Sequence, residues 1–416
     1  MCDHPSVSII VINYNGLSLL KDCFTSLKKL TYPSESIEFI MVDNGSSDGS
    51  VIFMKENFRD VKIIENKKNL GFAEPNNTAA AMAKGEYLAF LNNDMRVRPD
   101  WLLKLIEAIT NSPDDVICVG SKILNWHGEK VQFGGGGLAF DGRGFEVSSL
   151  PPSEEPYPPV LFACGGAMLI KRDIFIRLGG FDPKYFAYFE DVDLGWRLWI
   201  TGYRVLLVPD SIVYHHHQKT GSAIFSLEQK IFLGERNCFY SMIKNYEDKY
   251  LAKLLPAVLL LRIKKMLIHS KLDRSDWIAG KDFIYKKSPG FYDIIKDFIL
   301  NIKHEGFSYI LRRKYNILPY WLERLITRHY VLTTRPSMGP FIALEDLMED
   351  LDYLFEKREF IQSQRKRSDR EIFHLFLDPF NCQYDEEEYV KVRNSIIKNL
   401  KLSEMFLSED GEGLVP

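Results

Sequence analysis

The chain has few cysteines and no two of them close together. The six in 416 residues, Cys2, Cys23, Cys118, Cys164, Cys238 and Cys382, form no Cys-x-x-Cys pair, which speaks against a zinc knuckle or a disulfide framework and makes a reducing cytoplasm the expected location. No basic segment followed by an apolar run opens the chain. The first apolar stretch, residues 7–12, is short and ends at Asn13, so export is not expected. Positive charge is not in excess either, with 53 Lys and Arg against 56 Asp and Glu and a net charge of −3. That removes the broad basic surface on which non-specific nucleic-acid binding rests, and no nucleic-acid partner is expected. A long hydrophobic run is also missing. The longest, residues 251–268, is interrupted by Lys253, Arg262, Lys264 and Lys265 and broken by Pro256, and so falls short of the roughly 20 apolar residues of a spanning helix. It reads equally as a basic amphipathic helix lying on an anionic membrane and as a packing helix with a basic rim.

What the sequence does contain is alternation, and 416 residues allow two or three domains. Residues 7–12, rich in β-branched side chains, read as a buried strand that stops at the turn signal Asn13-Tyr14-Asn15-Gly16. Leu20, Cys23, Phe24 and Leu27 then recur at helical spacing. The unit repeats with a strand over 37–42, a polar loop over 43–49 and a helix over 51–58, followed by a strand at 61–65 and a small-residue helix through 79–83. Strands are expected at 87–91, 116–119, 163–170 and 203–208, helices at 101–109 and from 190 to about 202, and irregular chain around Gly134 to Gly137 and the prolines of 151–159. Such a pattern predicts an α/β fold with a mostly parallel sheet whose polar loops gather at the carboxyl edge, where a ligand would sit. Beyond about residue 245 the alternation gives way to charged segments of helical period, so the expected division is 1–245 and a mainly helical 246–416 of unknown role. Residues 365–370 and the acidic 385–388 read as solvated faces first and partner surfaces second.

Two acidic clusters stand out within the first part. Asn92-Asn93-Asp94 closes the apolar run 87–91, and Glu190-Asp191-Val192-Asp193 opens an amphipathic stretch. Acids and amides are common at caps and turns whatever the function, so neither cluster carries an assignment alone. Their neighbours do. In order along residues 5 to 245 stand VSIIVINYNG, a strand ending in VDNGSSDGS, NLGFA, YLAFLNNDMRVRPDWL, FACGGAMLIKRDIFIRLGGFDPKYFAYFEDVDLGWRL and YHHHQKTGS. In this ordered set the chain resembles the inverting, GT-A-fold glycosyltransferases of family 2, within them the rhamnosyltransferase-like branch.

The resemblance implies a GT-A fold and a metal-dependent transfer of a sugar, with rhamnose a candidate, from a UDP- or dTDP-sugar to a hydroxyl of a saccharide or lipid-linked saccharide. It implies that Asp43 accepts the imide N–H of a uracil or thymine ring, with Tyr14 and Asn15 lining the base pocket. Asn92, Asn93 and Asp94 take the place of the family's D-x-D motif. Asp94 would supply an oxygen ligand to Mg²⁺ or Mn²⁺, while Asn92 stands where the family's first carboxylate does. Asp191 is implied as the catalytic base and Glu190 as its companion on the acceptor side. Asp193 is read as complementing the dipole at the start of its helix. A histidine completes the metal or diphosphate site, His215 first and His217 second. Gly165 and Gly166 would allow close approach of sugar or acceptor, and Lys67 and Lys68 either meet phosphate or are plain surface lysines. Peripheral attachment at the inner face of the cell membrane accompanies the lipid-linked acceptor. The rival readings are a sugar-nucleotide-forming nucleotidyltransferase, against which the absence of a Gly-rich basic loop at residues 13–16 argues, and a catalytically silent nucleotide-sugar-binding subunit.

Overall fold

The structure is a computed structural model that describes residues 4–150, 153–216, 225–270 and 335–406. Residues 1–265 and 338–416 form one compact unit and residues 266–337 another.

The strands run β1 (Val7–Asn13), β2 (Ile37–Asp43), β3 (Lys62–Glu65), β4 (Tyr87–Asn92), β5 (Met95–Val97), β6 (Val116–Asn125), β7 (Val131–Phe133), β8 (Gly136–Leu138), β9 (Gly144–Glu146), β10 (Ala167–Lys171) and β11 (Arg204–His215). The main sheet is ordered β3-β2-β1-β4-β10-β6-β11-β5, with β7 on β6, while β8 and β9 form a separate hairpin. The pairs β1/β2, β1/β4, β2/β3 and β6/β11 are parallel, and β10 runs antiparallel to both its neighbours. The result is the mixed, mostly parallel sheet with flanking helices that the alternation predicts. The helices of this half are α1 (Leu17–Leu27), α2 (Ser50–Asn57), α3 (Ala73–Met82), α4 (Trp101–Thr110), α5 (Arg172–Arg177) and α6 (Glu190–Ile200). α1 buries Leu20, Cys23, Phe24 and Leu27, the four residues whose spacing marks it in the sequence. Because β1, β2 and β4 are parallel, their carboxyl ends meet at one edge, with Asn13 opposite Asp43 and Asn92 opposite Ile12.

Three readings are corrected. The irregular stretch around Gly134 to Gly137 contributes strand β8 to the two-stranded hairpin, which contains too few residues to show an alternating pattern. Pro256 does not break its segment, because one helix runs Asp248–Ser270 through it. Ala252, whose carbonyl loses its partner to the proline, is exposed to water. The basic run 365–370 is not a solvated face. Asp369 is fully buried, the Arg365 guanidinium donates to the Asn245 carbonyl, and that of Arg367 to the carbonyls of Trp199 and Tyr203. The acidic 385–388 is exposed, as read.

Past β11, the described residues 225–265 and 338–406 belong to the same unit as the sheet. Helix Leu351–Ser363 packs on helix Leu227–Asn245 and supplies the donors that its last carbonyls lack. Arg358 Nη1 donates to Ile243 and Tyr246 O at 2.5 and 2.6 Å, and Gln362 Nε2 to Lys244 O at 3.0 Å.

Candidate active site

Local hydrogen bonding builds the carboxyl edge of β1 and β2. Asp43, 2% exposed, accepts from Asn13 Nδ2 at 3.1 Å and from the Ser46 amide at 2.8 Å. Asn13 in turn accepts from Asn93 Nδ2 at 2.8 Å, so the first and fourth strand ends are tied together. Asn15 sits at φ 49°, and its side chain accepts from the Ser47 amide. Asp48 accepts from the amides of Leu17 and Ser50 and serves the turns on both sides. Asn44 donates to Asn69 Oδ1 and Gly71 O and accepts from the Leu70 amide, which fixes the NLGFA segment. Gly71 needs its positive φ of 82°, and a Cβ there would stand 2.3 Å from Phe186 O. Lys67 and Lys68 are exposed and off the cavity wall.

A cavity of about 440 Å³ opens at this edge. It brings together Tyr14, Asn92, Asn93, Asp94, Gly166, Glu190, Asp191 and His215. Asn15, Asp43 and Gly165 are not on its wall, although Gly165 touches it indirectly by donating its N–H to Asp191 Oδ2 at 2.9 Å. Gly166 has no room for a side chain, since a Cβ would lie 2.4 Å from Asn92 Nδ2.

On one side of the cavity Asp94, 5% exposed, faces His215, with Nε2 3.5 Å from Asp94 Oδ2. The other ring nitrogen, Nδ1, is 2.8 Å from Gln132 Oε1. The next residue, His216, donates its amide to Asp94 O and stacks on Trp126 at 3.6 Å, so the end of β11 is held against β5. His217 lies outside the described residues. Among the described residues no group of three or more His, Cys, Asp or Glu is gathered as a complete metal cage. Asp94 and His215 do fit a divalent ion as two donors of hard oxygen and imidazole type on one wall, with the remaining positions left to substrate oxygens and water.

The start of α6 lines the same cavity. Asp191 is half-buried, and its carboxylate is held by the amides of Gly165 and Val192, both at 2.9 Å. Burial raises its pKa above the usual carboxylate value, against the lowering effect of those N–H groups. Glu190 is 7% exposed, and its Oε2 has no hydrogen-bond partner among the described residues. Burial, with Asp191 beside it, pushes its pKa well up. Asp193 lies in the first turn of α6, as read, and has an ion-pair role besides. It points away from the cavity, fully buried, with Arg197 Nε 2.8 Å and Lys244 Nζ 2.9 Å away. Lys244 also reaches Asp182 at 2.6 Å, and Tyr353 donates to Asp182 at 2.7 Å.

Sequence reasoning missed part of the wall. Glu146, on β9, faces the cavity, and burial and then Asp191 raise its pKa. Phe72, Phe145, Phe162 and Phe189 supply apolar surface and Lys230 a cation. The chain entering α6 is bent into positive φ at Phe186 (63°), Tyr188 (69°) and Phe189 (68°), a backbone region costly for bulky residues and concentrated at functional sites. Asn237 holds it by donating to the carbonyls of Ala187 and Tyr188 at 2.9 and 2.7 Å. The aromatic run FAYF was the available signal.

Residues 8–179 match the family described as Glycosyl transferase family 2. The O-antigen biosynthesis protein RfbC of Myxococcus xanthus is 32% identical over 232 residues, covering 53% of this chain and 18% of that protein. The N-acetylglucosaminyl-diphospho-decaprenol L-rhamnosyltransferase of Mycobacterium tuberculosis is 26% identical over 236 residues, covering 50% of this chain and 75% of that protein. The chain spans only 24% of another relative, the uncharacterized protein y4gI of Sinorhizobium fredii. Among solved structures, GalNAc-T7 with UDP, GalNAc and Mn²⁺ superposes with a TM-score of 0.52 at 22% identity, covering 62% of this chain and 52% of that one. The likeness shows the same fold. Within this chain, then, residues 8–179 are similar to glycosyl transferase family 2, and the sheet around them has the GT-A fold.

Proposed function

We propose that the chain is an inverting hexosyltransferase that moves a sugar, rhamnose first among the candidates, from a UDP- or dTDP-type donor to a hydroxyl of a saccharide or lipid-linked saccharide in cell-surface polysaccharide synthesis. The observation that carries this reading is one cavity with a raised-pKa carboxylate, Asp191, on one wall and the Asp94–His215 pair on another. The likeness to the mycobacterial rhamnosyltransferase supports both the sugar and the lipid-linked acceptor.

In this scheme Asp191 takes the proton of the acceptor hydroxyl as its oxygen bonds to the anomeric carbon, and the bond from that carbon to the diphosphate oxygen breaks with its electron pair leaving on the diphosphate. The Gly165 and Val192 amides hold the carboxylate in place. Glu190, whose pKa burial and the neighbouring Asp191 raise, faces the acceptor side. Asp94 and His215 would hold Mg²⁺ or Mn²⁺, which when bound supplies positive charge against the departing diphosphate. Asp43 reads the pyrimidine N–H through lone pairs left over from its two loop contacts, with Tyr14 and Asn15 beside the ring, Asn92 and Asn93 shaping the diphosphate end, and Gly165 and Gly166 giving the sugar room. A cytoplasmic location goes with the scattered cysteines, of which the five described are all free thiols.

The test joins a thermal-shift screen of nucleoside diphosphates, with and without Mn²⁺, to the Asp191→Asn variant. Uridine or thymidine diphosphate should stabilise the protein above guanosine and adenosine diphosphates. The variant should bind donor normally and turn over roughly 10² to 10⁴-fold more slowly, the loss typical of a general base. Preference for a purine, or turnover reduced less than about tenfold with chemistry rate-limiting, refutes the assignment.

A further inference from the structure

A second cavity, of about 150 Å³, lies at the turn of the β8–β9 hairpin, where it meets the helix Asp248–Ser270 and the segment before the helix Glu387–Asn399. Its wall carries Arg143, Arg262, Lys265 and Arg393, and one carboxylate, Asp141. A second carboxylate, Glu235, is shared from behind. It pairs with Arg262 Nε, lies 3.1 Å from Arg143 Nη2 and lies 2.8 Å from Lys265 Nζ. Arg262 Nη1 is 3.1 Å from Asp141 Oδ2. Three cations therefore share two carboxylates, and the fourth, Arg393, donates to the carbonyls of Phe380 and Asn381. The acids Asp385 and Glu386 close by in sequence are exposed, and Glu388 is taken by Lys264. At the centre, Arg262 is 1% exposed and its Nη2 has no hydrogen-bond partner among the described residues. A guanidinium buried with an unused N–H edge is costly unless a planar or tetrahedral oxyanion meets it.

We propose that this cavity is a binding site for a small oxyanion of the phosphate class, held by Arg262 with Arg143, Lys265, Arg393 and the Tyr389 hydroxyl around it. Its volume of about 150 Å³ is small against the roughly 440 Å³ of the first cavity and suits a small ion. The turn that supplies Asp141 and Arg143 leads directly into β9, whose Phe145 and Glu146 line the catalytic cavity. A bound anion would therefore fasten the hairpin to the C-terminal helices and steady that wall. This site stands independently of the sugar-transfer reading.

Equilibrium dialysis of inorganic phosphate against the full-length chain, at constant ionic strength made up with sodium chloride, tests it. One saturable site per chain is expected, accompanied by a rise in Tm, and it should persist in saturating UDP with Mn²⁺. Arg262→Lys keeps the charge but loses the fork, and Lys265→Gln alters a less buried partner should the first variant fail to fold. Each should weaken phosphate binding about tenfold or more, as expected for loss of a charge-assisted hydrogen bond. Phosphate that UDP displaces, or that binds Lys265→Gln as tightly as the parent, overturns the proposal. Equally tight binding of glycerol 3-phosphate overturns the assignment to a free ion.

Discussion

Asp94 is preceded by two amides, so no neighbouring carboxylate can take over its role at the metal-facing wall. Asp94→Ala should therefore abolish the Mn²⁺ stimulation of nucleoside diphosphate binding, read by calorimetry with and without the ion. An unchanged metal effect would move the ligand elsewhere. At this scale the sequence was informative wherever a motif fixed a residue at a strand end. Parallel pairing then set Asn13 opposite Asp43 and the end of β4 beside them, where Asn93 reaches Asn13, and the β5–β11 pairing brought His215 to Asp94. It was uninformative where partners come from distant chain. The Asp193–Arg197 pair has the i, i+4 spacing of a helix and could be read, whereas Lys244, 51 residues further on, could not. Glu146 was hidden for the same reason. Three-residue strands carry no period, and nothing in GFE announces that it faces Asp191.

The helices following β11 are held to the catalytic half by buried charge. Lys244, 1% exposed, neutralises Asp182 and Asp193 at once. Removing one member of such a set leaves the others uncompensated in a low-dielectric interior, so Lys244→Met should cost about 3 to 5 kcal/mol. Urea unfolding of the variant measures this, and a loss below about 1 kcal/mol, the range of an exposed pair, would mean that water reaches the cluster. The helix Asp248–Ser270 shows the same economy of charge. Of its four basic residues within 251–268, Arg262 and Lys265 are bound to Glu235 and Lys264 to Glu388, which leaves Lys253 exposed. No described helix is long and apolar enough to cross a membrane. These pairs favour the packing reading of the segment, because cations held against buried carboxylates of the same chain, as Arg262 and Lys265 are, do not face a lipid surface. In a flotation assay at low salt, Lys253→Ala and the parent should behave alike. Salt-sensitive vesicle binding that Lys253→Ala and Lys264→Ala together remove would restore the membrane role.

For the whole molecule, the ion clusters set the response to acid. Burial alone would raise Asp193, but Lys244 and Arg197 hold it down to about 2, and Glu235, Asp141 and Asp182 are also lowered by the cations beside them. Groups depressed in the folded state add stability that is complete above their unfolded values and is lost as pH falls through the folded ones. Stability should therefore drop steeply between about pH 4 and pH 2. Asp369 has the opposite sign. Burial raises it to about 6, so it removes stability as pH climbs from about 4 to 6. Urea midpoints across this range should show both limbs, with the steeper one on the acid side. A flat profile below pH 4 would show that the clusters stay open to solvent.

The capping of helix Leu227–Asn245 by Arg358 and Gln362 has a consequence in time. On a ribosome adding roughly 5 to 20 residues per second, the carbonyls of residues 243 to 246 emerge long before the side chains that satisfy them. More than a hundred residues, including all of 266–337, must be made in between. For an interval on the order of ten seconds, the sheet and the acidic walls of the cavity exist as nascent chain with their supporting helices still unborn. Emergence of residues 358–362, rather than the completion of the segment 8–179, is what caps this helix.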